Sequence, residues 1–102
     1  MGIDVRLETE DGDEIETLLD FENSLQKILI ECDTARSVML RFIDPYGNTR
    51  FNRLQIPSLI ADLKEAGGRL KDGTARKFAN SVLRLAERCQ GEVNTHLQFY
   101  GG

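Results

Sequence analysis

Six carboxylates crowd the region around a single glycine near the start of the chain. Side chains this acidic attract cations, so the chemistry open to them is metal binding, contact with a basic protein, or catalysis by a carboxylate pair. A calcium loop needs acidic residues at alternate positions before its glycine, and the run Asp11-Gly12-Asp13-Glu14 lacks that spacing. Cleavage of a glycosidic bond needs a cleft between the acids, which an exposed hairpin does not supply. We therefore favour contact with a basic protein through Glu8, Glu10, Asp11, Asp13, Glu14 and Glu16.

Few residues are suited to nucleophilic catalysis. The chain has one histidine, His96, and two cysteines, Cys32 and Cys89, with no C-x-x-C pair and no G-x-S-x-G serine. Both cysteines fall on helix faces that we predict to be buried, where a thiol stays reduced and unreactive. An enzyme would need a concave pocket lined by His96 with Asp44 or another acid. We expect no enzyme, no cofactor and no metal site, with His96 exposed on a strand.

Charge is distributed unevenly along the 102 residues. Residues 1–33 carry eleven carboxylates against two basic side chains, whereas the rest of the chain is mildly basic, and the net charge is −4. The basic residues of the last third could follow phosphates along a helix, but the acidic part would repel the same polyanion. This distribution argues against nucleic acid as the partner. No stretch approaches the roughly 20 apolar residues of a membrane helix, and no signal peptide is recognisable, so we expect a cytoplasmic protein without membrane contact.

Hydrophobic periodicity predicts one α+β domain over residues 1–102, with the order ββαββααβ. The expected architecture is a mainly antiparallel sheet of about five strands with the helices packed on one face. Residues 3–9 and 15–19 alternate as a hairpin around a three-residue loop, because a shorter loop would place Leu7 opposite Glu16 and split the apolar face. A second hairpin is expected from 37–43 and 49–54, in a register that the sequence leaves open.

Three helices and a final strand complete the prediction. The first helix spans about 21–32, capped by Asp20, and buries Phe21, Leu25, Ile28, Leu29 and Cys32. A short helix over about 58–66 ends at Gly67-Gly68, and a longer one runs from Asp72 or Thr74 to about Gln90. The last strand, 93–100, turns Val93, Thr95, Leu97 and Phe99 inward. Its outer face is a second candidate contact surface, because aromatic side chains are good anchors; this face carries Asn94, His96, Gln98 and Tyr100.

Parts of the sequence resemble a group of small uncharacterised bacterial proteins. The likeness is carried by the block LRFIDPYGNT at 40–49, by FNRLQ at 51–55, and by HLQFYG at 96–101 after a Cys-containing helix. It spans most of residues 38–101 and implies no activity. In size, acidity and compact α+β form the chain is also similar to bacterial immunity proteins, which neutralise a cognate toxin by covering its active surface. That second likeness transfers no binding residue.

These observations lead to one expected function and one alternative. We expect a non-enzymatic protein-binding module, in the form of an immunity protein that neutralises a basic toxin, such as a nuclease, through an acidic surface. The alternative is a homo-oligomeric structural or regulatory protein that dimerises through a sheet edge or an exposed sheet face. The first function requires the acidic side chains to face solvent without partners in their own chain. Replacing Glu8, Glu10, Glu14 and Glu16 by Lys is then expected to abolish partner binding and to leave the fold intact.

Overall fold

Strands from the two ends of the chain form the centre of the sheet. The computed structural model describes residues 2–31 and 37–101. Strand β1 (Asp4–Thr9) lies between β2 (Glu14–Leu18) and β4 (Thr95–Tyr100), and β3 (Asn48–Phe51) pairs with the other side of β4. All pairs are antiparallel. The α+β class is confirmed, but the sheet has four strands in the described ranges, not five.

The core lies between one face of this sheet and three helices, α1 (Ser24–Glu31), α2 (Ile56–Arg69) and α3 (Gly73–Gly91). Val5 is opposite Phe99 and Leu7 is opposite Leu97, and all four side chains are fully buried. The Phe51 ring meets Phe99 edge-on, with ring centres 5.5 Å apart. The alternation of residues 95–100 therefore turns the expected side chains inward, except that Val93, before the strand, is exposed.

Residues 37–43 do not form the predicted strand. The buried carboxylate of Asp62, on α2, accepts hydrogen bonds from the backbone N–H groups of Val38, Met39 and Leu40 at 2.6 to 3.0 Å, and from the Ser37 hydroxyl at 3.2 Å. These donors therefore need no neighbouring strand. The segment continues as a short 3₁₀ helix, Leu40–Phe42. As a result β3 pairs with β4, and the second hairpin was a wrong prediction.

The register of the first hairpin also differs from the prediction. Leu7 lies opposite Glu16, which the sequence argument excluded, and Glu8 lies opposite Glu14. A β-bulge between these two pairs leaves Ile15 as the extra residue, and Ile15 still packs against the core. The bulge therefore lets Ile15 reach the core although the strands do not pair in the register that we inferred from the burial of the apolar residues.

The predicted cap of α1 is confirmed, but the predicted start of that helix is wrong. The Asp20 carboxylate accepts from the N–H groups of Ser24 and Leu25 at 2.8 and 2.9 Å, so it caps α1 as predicted. Phe21, placed inward by the sequence, lies before the helix and is 84% exposed. Asp72 caps α3 through the N–H groups of Thr74 and Ala75.

Two glycines do not end α2 as predicted. Gly67 and Gly68 lie inside the helix, which continues to Arg69. Ala66 and Leu70, on either side of the pair, are both buried. Their packing outweighs a helix penalty of about 1 kcal/mol per glycine.

The two cysteines have different outcomes. Cys89 is buried as expected, and burial raises the pKa of its thiol. Cys32 lies outside the described residues, so the structure does not describe its distance from Cys89. Separately, none of the described helices combines the length and the apolar character that crossing a bilayer requires.

Asp62 gives a direct test of this architecture. We expect Asp62→Asn to lower the free energy of unfolding by about 2 kcal/mol, because a neutral amide oxygen accepts these buried N–H bonds more weakly than a carboxylate, and the amide NH2 group would face the Val38 N–H from which Oδ1 accepts at 3.2 Å. Asp13→Asn is the matched control, since the Asp13 side chain is exposed and makes no hydrogen bond or ion pair within the described ranges. Urea unfolding of both variants measures the difference. Equal stability of the two variants would contradict this role of Asp62.

Candidate binding surface at the end of the sheet

The sheet register joins the two candidate contact surfaces into one. Glu8 on β1 lies directly opposite His96 on β4, on the sheet face away from the core. The acidic hairpin and the outer face of the last strand are therefore neighbours and not competing surfaces. Both side chains are nearly inaccessible, with 2% of Glu8 and 4% of His96 exposed. The prediction of an exposed His96 is wrong: β4 lies between β1 and β3, and the His96 ring contacts the buried Glu8 carboxylate of β1.

The Glu8 carboxylate is the centre of a hydrogen-bonded cluster. The His96 ring nitrogen Nε2 lies 2.8 Å from Oε1, and the Tyr100 hydroxyl donates to Oε2 at 2.5 Å. Since an ionised carboxylate only accepts, Nε2 carries the proton in this contact. Arg6 adds positive charge, with Nε 3.3 Å from Oε2 and its guanidinium 5.4 Å from the centre of the Tyr100 ring.

Opposing effects set the ionisation of this cluster. Burial alone raises the pKa of the Glu8 carboxyl, but hydrogen bonds from Tyr100 and His96, together with the Arg6 charge, lower that pKa below its ordinary value. The same hydrogen bond raises the pKa of Tyr100, because the phenol proton is held by a carboxylate. Glu8 is thus an ionised group whose charge is used inside the protein.

Two further candidate carboxylates are paired within the chain. Glu14 lies 3.5 Å from Arg6, which also contacts Glu8 and so offsets the repulsion between these facing acids. Glu16 lies 2.8 Å from Arg88 on α3, which also binds Glu92 at 3.0 Å. The expectation that the acidic residues are free of their own chain's cations is therefore wrong for Glu8, Glu14 and Glu16.

Three candidate carboxylates remain exposed and have no ion pair among the described residues: Glu10, Asp11 and Asp13. Their loop has a defined shape. Thr9 donates its N–H to the Asp13 carbonyl at 2.9 Å and accepts at its hydroxyl from the Asp13 N–H at 3.1 Å. Gly12 has φ +89°, a left-handed conformation that glycine adopts without strain.

The other candidates on β4 and just before it have separate environments. Gln98 is buried, and its side-chain oxygen accepts from Arg50 at 3.1 Å. Tyr100 is half-buried by the Glu8 cluster. Asn94 is exposed and adjoins the acidic loop, because its carbonyl accepts from the Glu10 N–H at 2.9 Å. Together with exposed Val93 it completes a surface that we call the acidic end, defined by Glu10, Asp11, Asp13, Val93 and Asn94.

The charged side chains of the acidic end are carboxylates on an exposed loop. Within residues 2–31 and 37–101, no three side chains of the types that bind metals are grouped to hold an ion. What the acidic end offers is negative charge on an ordered loop beside one exposed apolar residue.

Arg6 and Arg88 are the functional neighbours that the sequence reasoning missed. Arg6 was open to inference, because period two places it on the same face of β1 as Glu8 and Glu14 is in the facing strand. Arg88 gave no such signal, since it lies 72 residues from Glu16 and meets it only after α3 packs on the sheet.

Comparison with known proteins adds no relative. No family model, curated protein or solved structure matches the chain.

The Glu8 cluster predicts a specific dependence of stability on pH. Because the pKa of Glu8 is lower in the folded protein, its stabilisation is complete above the ordinary carboxylate pKa and is lost as pH falls through the lowered value. We expect Glu8→Gln to destabilise the fold at pH 7 by about 2 kcal/mol and to flatten the acid limb of the stability curve. Tyr100 acts in the opposite direction, since its stabilisation is lost as pH rises through its raised pKa.

The control for this experiment is Glu14→Gln, because the Glu14 side chain is 54% exposed and its ion pair with Arg6 is solvent-screened. Denaturant unfolding between about pH 3 and pH 7, where free carboxylates titrate, measures both variants. If Glu8→Gln has no more effect than Glu14→Gln, the cluster is not a source of stability.

Proposed function

We propose that this protein is a non-enzymatic protein-binding module and that the acidic end contacts a basic surface of another protein. In the specific form that we favour it is an immunity protein, and the carboxylates take the place of nucleic-acid phosphates in the cationic cleft of a toxin such as a nuclease. Glu8, Glu14 and Glu16 support the fold in this proposal and do not contact the partner directly.

The observation that carries the proposal is the contrast between two sets of acids on one hairpin. Glu8, Glu14 and Glu16 each form an ion pair with a cation of the same chain. Among the described residues, no cation pairs with Glu10, Asp11 or Asp13. Like charges held close together on an ordered loop repel one another. A positively charged partner would relieve that repulsion, since no cation of the described residues pairs with these three carboxylates.

The loop geometry would also favour tight binding. Because hydrogen bonds between Thr9 and Asp13 already order the loop, little conformational entropy remains to be lost on association. Exposed Val93, at 69%, adds apolar area next to the charges. Charge would mainly accelerate association, while the apolar and hydrogen-bonded contacts would slow dissociation.

Charge reversal at the acidic end tests the proposal. A partner captured from the native cell would first be identified and purified, and its association rate measured by surface plasmon resonance. We expect Glu10→Lys with Asp13→Lys to slow association by about tenfold or more, because both steering charges change sign. The control pair is Glu22→Lys with Glu87→Lys, which changes the net charge equally at exposed sites elsewhere.

Two results would contradict the proposal. One is an equal effect of the two pairs, which would mean that only net charge matters. The other is a wild-type protein that elutes as a constitutive dimer with the acidic end buried, as judged by mass and by hydrogen exchange at residues 10–13.

Salt gives an independent prediction for the same complex. Exposed charges are screened over about 8 Å at physiological ionic strength, so the association rate should fall steeply between about 0.05 M and 0.5 M salt. The dissociation rate should change much less. Stopped-flow association measurements across this range test it, and a flat response would show that steering by the acidic end is absent.

A further inference from the structure

Strand β2 has one unoccupied edge. Within the described residues it pairs with β1 alone, at the end of the order β2-β1-β4-β3. The backbone N–H and C=O groups that point away from β1 therefore have no strand partner there. An edge of this kind can accept an extended segment of another chain as an additional strand.

A cleft beside this edge is shaped for side chains of such a segment. It has a volume of about 280 Å³ and is lined by Glu16 and Leu18 of β2 and by Ser81, Arg84, Leu85 and Arg88 of α3. The four α3 residues fall at positions i, i+3, i+4 and i+7, so they share one helix face. Leu18 and Leu85 give the cleft an apolar part, and the two arginines give it a charged part.

The charges in this cleft leave one cation uncompensated. Arg88 is bound by Glu16 and Glu92, at 2.8 and 3.0 Å. Arg84 is exposed, and its Nε donates weakly to the Asn80 carbonyl at 3.5 Å. No carboxylate pairs with Arg84 within the described residues. The cleft therefore complements a negative side chain placed near Arg84.

We propose that this cleft binds an extended peptide segment of a partner protein, added as a strand to the free edge of β2. An apolar side chain of the segment packs on Leu18 and Leu85, and an acidic side chain two residues away reaches Arg84. This spacing follows from strand geometry, because residues i and i+2 point to the same face about 7 Å apart. The site is separate from the acidic end and has the opposite preference for charge.

A second copy of this chain fits the same edge poorly. Pairing β2 with β2 of another copy would bring the Glu14 and Glu16 side chains of both copies along one seam. Like charges facing each other across strands are destabilising. The charges thus favour a foreign segment with a single acid over self-association through this edge.

The test uses the whole protein and a labelled seven-residue peptide, TVTETVT, whose alternate positions present valine, glutamate and valine on one face. Fluorescence anisotropy measures its affinity, and TVTKTVT is the control peptide. We expect Arg84→Glu to weaken TVTETVT binding by about tenfold and Arg84→Gln to weaken it less. Lys71→Glu makes the same charge change at an exposed site outside the cleft and should have little effect.

Hydrogen exchange distinguishes strand addition from loose ionic contact. Bound TVTETVT should slow the exchange of backbone amides within residues 14–18, because new inter-strand hydrogen bonds protect them. The proposal is overturned if neither peptide binds at millimolar concentration, if both bind equally, or if binding leaves these amides unprotected. A wild-type dimer whose β2 amides are already protected without peptide would also overturn it, since a second copy would then occupy the edge.

Discussion

The pairing of β1 with β4 is the constraint on which the rest of this structure depends. It joins residues 4–9 to residues 95–100 along six residue pairs, so nearly the whole chain is enclosed between the two strands. Closing so long a loop costs conformational entropy, which the burial of Val5, Leu7, Leu97 and Phe99 on the paired strands helps to offset. The chain segments next to this pair are also tied down, since the Gly101 N–H donates to the Gly47 carbonyl at 2.7 Å.

The same pairing decides which charges of the hairpin remain available. By placing Glu8 opposite His96 and within reach of Tyr100, it converts a formally acidic residue into part of a buried polar cluster. Packing of α3 on the sheet then brings Arg88 to Glu16. The acidity of the N-terminal sequence is therefore not the acidity of the surface. On the hairpin, the acids without an ion pair are confined to the loop, where no paired strand or helix supplies a cation among the described residues.

Local signals in the sequence predicted the elements whose contacts are local. Asp20 as a helix cap, the start of the long helix α3 at Asp72 or Thr74, and the alternation of β4 all follow from residues a few positions apart. The wrong predictions arose where contacts between residues far apart in the sequence determine the structure. Asp62 holds residues 37–40 from more than twenty positions away, so an apolar segment that is typical of a strand becomes a 3₁₀ helix. The types of the residues in the sequence predicted the candidate site. Which of its acids are paired became known only from the structure, which shows where Arg6 and Arg88 lie.

The ion pair between Glu16 and Arg88 lies between two surfaces next to the hairpin. The acidic end attracts positive charge, and the cleft beside β2 attracts negative charge. Without Arg88, the Glu16 carboxylate would extend the negative field of the loop along the edge of β2 and repel an acidic strand there. With the pair formed at 2.8 Å, the negative field is largely limited to the loop, and Arg84 dominates the cleft. A basic partner at the loop and an acidic segment at the edge could then bind without competing for the same charges. Because Arg88 also binds Glu92, this separation of the two surfaces depends on α3 remaining helical as far as Gly91, the residue before Glu92.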